Sequence, residues 1–182
     1  IFWERNGDGY AKIMASKSAY EELSGEWKVH SGPAELHPGI WLTGPVPRVH
    51  PEKNYTVAKG ATVTGPSGAV PDNIPESLSL VINTPKGLVV VSGCGHAGLI
   101  NTVRYARKLT GIDRVHAVVG GFHLATPVFE ARIPSTVEAL REFEPQVVAP
   151  THCTGWRATH ALAAAFPDAF IPGSVGTRYV FQ

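Results

Sequence analysis

One cysteine and three histidines follow three apolar segments of the chain, and these residue types bind metals or act as nucleophiles. The segment GLVVVSGCGHAG contains Cys94 and His96, RVHAVVGGFHL contains His123, and QVVAPTHCTG contains His152. Imidazole and thiolate are good ligands for zinc, iron or manganese-type ions. Each apolar run predicts a buried strand, and α/β proteins build sites at the ends of their strands. We therefore expect His96, His123 and His152 to converge at one edge of a sheet.

Cys94 leaves three interpretations open: a metal ligand, a nucleophile or a small buried residue. A helix that starts directly after it would lower the pKa of the thiol and favour the thiolate. Cys153 lies beside His152 and is interpreted as a structural residue. His116 in the middle of a strand and His160 within a helix have no partner in the sequence, so no function is assigned to either.

Strands and helices are predicted from apolar periodicity and from Gly and Pro positions. The first half favours strands and a hairpin, whereas strands and helices alternate after Gly87. Residues 51–75 are rich in Pro, Gly, Ser and Thr and predict a long loop, either a lid or an insert. The predicted strands are Gly39–Val46, Ser77–Asn83, Leu88–Val91, Val115–Val119, Val147–Ala149 and Arg178–Phe181, with a further short one near Phe170. The predicted helices are Ser16–Leu23, Leu99–Leu109 with Gly111 as its stop, one opened by a capping box at Ser135 and running to about Phe143, and Trp156–Phe166.

Composition places the chain among ordinary globular proteins. Its 182 residues are 43% apolar and 17% charged, with a formal net charge of +1 at pH 7, which argues against nucleic acid or an anionic membrane as partner. No stretch approaches the roughly 20 apolar residues of a membrane helix. Two cysteines do not form a secreted disulfide framework, so reduced thiols and a cytoplasmic location are expected. We expect one α/β domain over residues 1–182.

Four sequence blocks together resemble a known family. GLVVVSGCGHAGLINTV, AVVGGFHL, PTHCTGWRA and VGTRYVF, in this order and spacing, resemble the C-terminal half of metallo-β-lactamase-fold hydrolases. The branch they resemble is that of 7,8-dihydropterin-6-methyl-4-(β-D-ribofuranosyl)-aminobenzene-5'-phosphate synthase-like proteins, and GPVPR (Gly44–Arg48) fits it as well. The resemblance implies an αββα sandwich with metals at the strand ends.

The resemblance also implies roles for individual residues. His152 corresponds to the last metal-binding histidine of the superfamily, and His96 is the second metal-ligand candidate. Cys94 falls where many members have a bridging aspartate, and His123 belongs to the GGFHL block; both are candidate catalytic residues. Apart from the resemblance, Arg48 or the loop of residues 51–75 is the candidate for binding an anionic group of a small-molecule substrate. The implied cofactor is a divalent metal, with zinc as first choice and iron or manganese as alternatives.

One departure from the family affects these expectations. The main ligand motif of the superfamily, HxHxDH, comes before the matched region, and no HxH occurs in the sequence. We therefore expect a C-terminal portion that lacks the first half of the sandwich, holds only part of a dinuclear centre and leaves apolar sheet surface exposed. Such a surface would favour association into a homo-oligomer.

Three functional hypotheses follow. The first is a metal-dependent hydrolase, in which metal-activated water attacks an ester, amide or phosphoester, or a related pterin-phosphate synthase. The second is a non-catalytic α/β binding module that has lost its metal centre. The third is a thiol enzyme in which Cys94 acts with His96 or His123.

Overall fold

The structure is a computed structural model that describes residues 4–6, 28, 30–52, 54–55, 61–65 and 68–181. The chain divides into two compact units: residues 1–31 with 56–73, and residues 32–55 with 74–182. The predicted helix Ser16–Leu23 lies outside the described residues. The single-domain prediction stays a prediction.

Strands and helices of the described residues are numbered here in chain order. The strands are β1 (Glu4–Asn6), β2 (Ala34–His37), β3 (Ile40–Leu42), β4 (Thr62–Gly65), β5 (Gly68–Pro71), β6 (Ser79–Thr84), β7 (Gly87–Ser92), β8 (Val115–Gly120) and β9 (Val147–Pro150). The helices are α1 (Leu99–Thr110), α2 (Pro127–Glu130), α3 (Ile133–Arg141), α4 (Trp156–Ala165) and a 3-10 turn at His152–Thr154.

The first unit contains a three-stranded antiparallel sheet in the order β1-β4-β5. β4 and β5 form a hairpin in which Val63 pairs with Val70. Val63 is completely buried. The prediction of a structureless loop over residues 51–75 is therefore wrong for this part of the segment. The glycine and proline residues of the segment interrupt the alternation that predicts a strand, although the residue types of Thr62-Val63-Thr64 are typical of strands.

The second unit contains a six-stranded mixed sheet in the order β2-β3-β6-β7-β8-β9. β6 and β7 form the predicted hairpin, while β7, β8 and β9 run parallel. Every residue of β8 is buried, as expected for a parallel strand covered on both faces. Because parallel strands end at the same edge, the segments that follow β7, β8 and β9 are brought together.

Helix α1 agrees with its prediction within one residue. It follows Gly98 and ends at Gly111, whose φ of 69° is left-handed and whose N–H donates to the carbonyl of Arg107. Val103 and Ala106 on its apolar face are completely buried. Among the helices described, none is both long and apolar enough to cross a membrane.

Three details of the C-terminal half differ from the predictions. α3 begins at Ile133 without a capping side chain, and the Ser135 hydroxyl instead donates to the carbonyl of Arg132 at 3.0 Å. The short helix α2 was not predicted, because its four residues are too few to show a periodicity. Phe170 forms an isolated bridge with Val148, but the residues of the predicted strand Arg178–Phe181 are not in a strand.

The two faces of the large sheet bury different side chains. Val90 and Val118 belong to the main core with residues of α1, α3 and α4, whereas Val89 and Ala117 belong to a smaller cluster with Phe181 packed against it. Alternate residues of a strand point to opposite faces, which explains the division. Val89 and Ala117 are completely buried, so the expected exposure of an apolar sheet face is wrong at these positions.

Candidate metal centre

The turns that follow the three parallel strands are bonded to one another through their backbones. The N–H of Gly121, after β8, donates to the carbonyl of Gly93, after β7, at 3.0 Å. The N–H of Thr151, after β9, donates to the carbonyl of Gly120 at 2.8 Å. The N–H of Ala125 donates to the carbonyl of Cys153 at 3.3 Å. These bonds hold the three turns together at one edge of the sheet.

Cys94 lies at the centre of the side chains that these turns present. Its Sγ is 3.2 Å from Nδ1 of His123 and 3.1 Å from Sγ of Cys153. Cys94 belongs to two donor groups, one with His96 and His123 and the other with His152 and Cys153. Within each group the donor atoms lie within 4.8 Å of one another. The structure thus brings the predicted candidates His96, His123 and His152 together around Cys94, the fourth candidate; the roles of all four stay predictions.

The donor atoms fit a divalent transition metal such as zinc. Zinc binds thiolate sulfur and imidazole nitrogen at about 2.0–2.3 Å, so ligands of one ion lie roughly 3–4 Å apart. The contacts made by Cys94 have this spacing. Gly121 keeps the space open, because a Cβ there would lie 2.6 Å from both Sγ of Cys153 and Cε1 of His152. The residues present therefore fit such an ion.

The pKa values of Cys94 and His123 are both shifted towards the neutral forms of these side chains. Burial, together with the hydrogen bond to Cys153 and the proximity of Cys153, raises the pKa of Cys94 to about 12. Burial also lowers the pKa of His123, with a smaller contribution from the charge of His152. Neutral imidazole is the form that binds a metal, whereas the thiol has to release its proton when it becomes a ligand.

The ring of His123 is held between two other rings. It meets His96 edge-on with 4.5 Å between the ring centroids and lies 5.3 Å from the ring of Phe129 in α2. Its backbone has a φ of 47°, which is uncommon for a residue with a Cβ. His152 is exposed, and its Nδ1 lies 3.0 Å from the hydroxyl of Thr151.

Arg48 contacts Ile74 and Tyr55, which lie in the same compact unit. Its Nη2 donates to the carbonyl of Ile74 at 2.8 Å, and its guanidinium lies 4.9 Å from the ring centre of Tyr55. Burial lowers the pKa of Arg48, against the opposing charges of Tyr55 and Glu76. These contacts stabilise the segment; the substrate-binding role stays a prediction.

Sequence reasoning missed two features of this region. Cys153 was interpreted as structural, yet its Sγ contacts that of Cys94; its place directly after His152 at a third strand end was the available signal. Glu52 and Asn54 lie in the predicted loop, yet both are buried. Their charged or polar side chains between Pro51 and Tyr55 show no pattern that would indicate burial.

Comparison with solved structures identifies the fold. The crystal structure of Tm1679, described as a metal-dependent hydrolase of the β-lactamase superfamily, matches with a TM-score of 0.74. The two sequences are 24% identical, and the match covers 92% of this chain and 62% of that one. The fold of this chain is therefore that of the metallo-β-lactamase superfamily, as the sequence blocks predicted.

Two curated relatives come from Methanocaldococcus jannaschii. The 7,8-dihydropterin-6-methyl-4-(beta-D-ribofuranosyl)-aminobenzene-5'-phosphate synthase is 36% identical over 157 residues, which are 85% of this chain and 52% of the relative. An uncharacterized protein is 28% identical over 170 residues, or 93% of this chain and 60% of the relative. The chain thus spans between half and two thirds of the length of these relatives. No protein-family model matches it. The resemblance to the synthase branch is confirmed.

Proposed function

We propose that this chain contributes a metal centre to a metal-dependent enzyme of hydrolase type. The observation that supports it is a cluster of five sulfur and nitrogen donors, Cys94 with four others around it, at the ends of three parallel strands. A divalent ion held there would supply a Lewis acid and lower the pKa of a bound water. Zinc suits the mixed sulfur and nitrogen donors, with iron or manganese as alternatives.

The donor side chains would have different roles according to their positions. His96 and His152 would each hold metal, one in each donor group. Cys94 belongs to both groups, so its thiolate would be available as a ligand together with the histidine of either group. His123, whose Nδ1 is hydrogen-bonded to Sγ of Cys94 and whose ring packs against His96, would orient the sulfur or bind an ion itself.

The substrate we propose is a small anionic molecule with an ester, amide or phosphoester bond. The support is the synthase relative, whose name specifies a 5'-phosphate, and the Tm1679 structure, described as a hydrolase. Arg48 remains the candidate for the anionic group. A pterin phosphate is the finer proposal within this class.

A thiol enzyme is less favoured by the geometry. Nucleophilic catalysis by cysteine needs a thiolate, but the pKa of Cys94 is raised to about 12 by its burial and by Cys153.

Metal analysis of the purified chain tests the proposal. We expect stoichiometric zinc, iron or manganese in the unchanged protein and a large loss in His152→Ala. His160→Ala is the matched control, because His160 is an exposed histidine whose ring contacts that of Trp156 at a tilt of 46°, with 4.2 Å between the centroids. Metal-loaded and chelator-treated protein are then compared on phosphoester and ester substrates. Absence of metal from the unchanged protein after exposure to each ion would overturn the proposal and favour a non-catalytic binding module.

A further inference from the structure

We infer that Asn54 and Thr154 are positioning residues for His123, which they hold through the two polar backbone groups of Phe122. Nδ2 of Asn54 donates to the carbonyl of Phe122 at 3.1 Å. The N–H of Phe122 donates to Oγ1 of Thr154 at 3.2 Å. The proposed metal function is needed only for the consequence that this positioning has for metal affinity.

Both burial and hydrogen bonding restrain Phe122, the residue that precedes His123. Its side chain is completely buried, and so are those of Asn54 and Thr154. A buried residue with both backbone groups bonded has little freedom to rotate. The restrained Phe122 therefore fixes the position of the backbone that leads into His123.

His123 needs such support because its backbone conformation is unfavourable. A φ of 47° brings the Cβ close to the backbone, and such conformations persist only where the surroundings maintain them. The preceding residue, Phe122, supplies this support because both its carbonyl and its N–H are hydrogen-bonded. The conformation in turn places Nδ1 of His123 3.2 Å from Sγ of Cys94.

Glu52 holds Asn54 in the orientation that this contact requires. Oε1 of Glu52 accepts hydrogen bonds from Nδ2 of Asn54 at 3.3 Å and from the hydroxyl of Thr136 in α3 at 3.0 Å. Oε2 accepts from the N–H of Ile100 in α1 at 2.8 Å. The amide group of Asn54 is thus oriented with its nitrogen towards both acceptors, Glu52 and the Phe122 carbonyl.

The backbone around Glu52 is bound to α1. Nδ2 of Asn101 donates to the carbonyls of His50 and Glu52 at 3.2 and 3.3 Å, and its Oδ1 accepts from the N–H of His50 at 2.7 Å. A side chain at Gly98 would clash with the Glu52 carboxylate, so the close approach requires glycine there. Since α1 begins just after the turn with Cys94, this network connects that turn with the His123 turn.

If this network served only to stabilise the fold, the hydrogen bonds of Glu52 to the helices would be sufficient. The bond from Glu52 to Ile100 caps the start of α1 and would stabilise the fold even without any effect on the metal centre. The bonds to Phe122 belong to no helix. Their removal should therefore change the environment of His123 in particular.

NMR of the metal-free protein tests the inference directly. We expect Asn54→Ala to shift the ring resonances of His123, which a His123→Gln variant assigns. Thr110→Val is the matched control: it removes the hydroxyl bond from Thr110 to the carbonyl of Ala106 at the far end of α1. It should leave the His123 resonances in place. Unchanged His123 resonances in a folded Asn54→Ala protein would overturn the role of Asn54.

A second pair of variants decides the matter if Asn54→Ala does not fold. Thr154→Val removes the acceptor for the Phe122 N–H at nearly constant shape, whereas Thr154→Ser keeps it. We expect the valine variant to shift the His123 resonances and the serine variant to restore them to the original positions. Equal shifts in both variants would show that packing rather than the hydrogen bond is responsible, and would contradict the inference.

Zinc affinity, measured by competition with a chelator, supplies the functional result. Loss of a hydrogen bond that orients a metal ligand typically costs about 10–100-fold in affinity, and we expect Asn54→Ala to fall in this range. If the unchanged protein binds none of zinc, iron and manganese, the proposed function fails, while the His123 resonances of the metal-free protein still decide the positioning role.

Discussion

At the scale of single residues, the centre depends on how closely backbone and donor atoms approach one another. Cys94 contacts a histidine from the second turn and a cysteine from the third, both within 3.2 Å of its sulfur. At Gly121 this packing leaves no room for a side-chain atom. Gly121 and Gly93 lie in neighbouring turns but have different surroundings, which makes them a matched pair.

We predict that Gly121→Ala disrupts the centre and Gly93→Ala does not. A Cβ at Gly121 would lie 2.6 Å from Sγ of Cys153 and 2.7 Å from the carbonyl of Gly93, whereas a Cβ at Gly93 meets nothing within 4 Å. Overpacking of this kind typically costs about 1–3 kcal/mol of stability. Urea unfolding and bound-metal analysis of both variants check the prediction. Equal metal content in the two variants would contradict it.

At the scale of secondary-structure elements, a buried carboxylate joins two helices. Glu52 is 5% exposed and accepts hydrogen bonds from the start of α1 and from α3. Burial raises the pKa of Glu52, although the hydrogen bonds from Ile100, Thr136 and Asn54 and the charge of nearby His50 act in the opposite direction. Desolvation therefore outweighs the hydrogen bonds, and the folded protein holds this proton more tightly than the unfolded chain does.

The raised pKa predicts a pH dependence of stability. Above the ordinary carboxyl pKa of about 4.5 the unfolded chain loses the proton while the folded protein retains it, so stability falls as pH rises towards the folded pKa. Glu52→Gln removes this titration. We expect the free energy of unfolding of the unchanged protein, minus that of Glu52→Gln, to decrease as pH rises above the ordinary carboxyl pKa of about 4.5.

Urea titrations of both proteins at several pH values measure this difference. Arg132, whose Nη1 lies 3.5 Å from Oδ1 of Asn54, is present in both proteins. A difference that grows with pH would show that the hydrogen bonds outweigh burial, and the prediction would be wrong.

At the scale of the whole molecule, the proposed centre belongs to one of the two compact units. All five donor residues lie in the unit of residues 32–55 and 74–182, while the β4–β5 hairpin lies in the other. A ligand that binds only the folded state stabilises it by about 2.7 kcal/mol at a concentration 100 times its dissociation constant. The stabilisation should act first on the unit that holds the site.

We predict that zinc slows amide hydrogen exchange mainly in the turns after β7, β8 and β9. Peptides from the β4–β5 hairpin serve as the internal reference and should change little. His152→Ala should reduce the protection, and His160→Ala should preserve it. Uniform protection of both units, or protection that persists fully in His152→Ala, would contradict this prediction.

Local patterns explain the elements that could be predicted from the sequence. The Leu99–Leu109 periodicity, the stop at Gly111 and the apolar run Val115–Val119 each depend on neighbouring residues alone. The observed elements, Leu99–Thr110 and Val115–Gly120, agree within one residue. Parallel pairing of such strands then necessarily brings His96, His123 and His152 to one edge of the sheet.

Only the tertiary structure decided which side chains touch. Cys94 and Cys153 are 59 positions apart, and nothing local distinguishes a cysteine that meets another from one that is merely buried. The same holds for Asn54, whose partner Phe122 is 68 positions away. A polar residue in a loop-like segment becomes buried only when distant backbone groups supply its hydrogen bonds. The sequence by itself thus determined the strands and four of the five candidate donor residues, while the packing of distant segments determined their contacts and support and added Cys153.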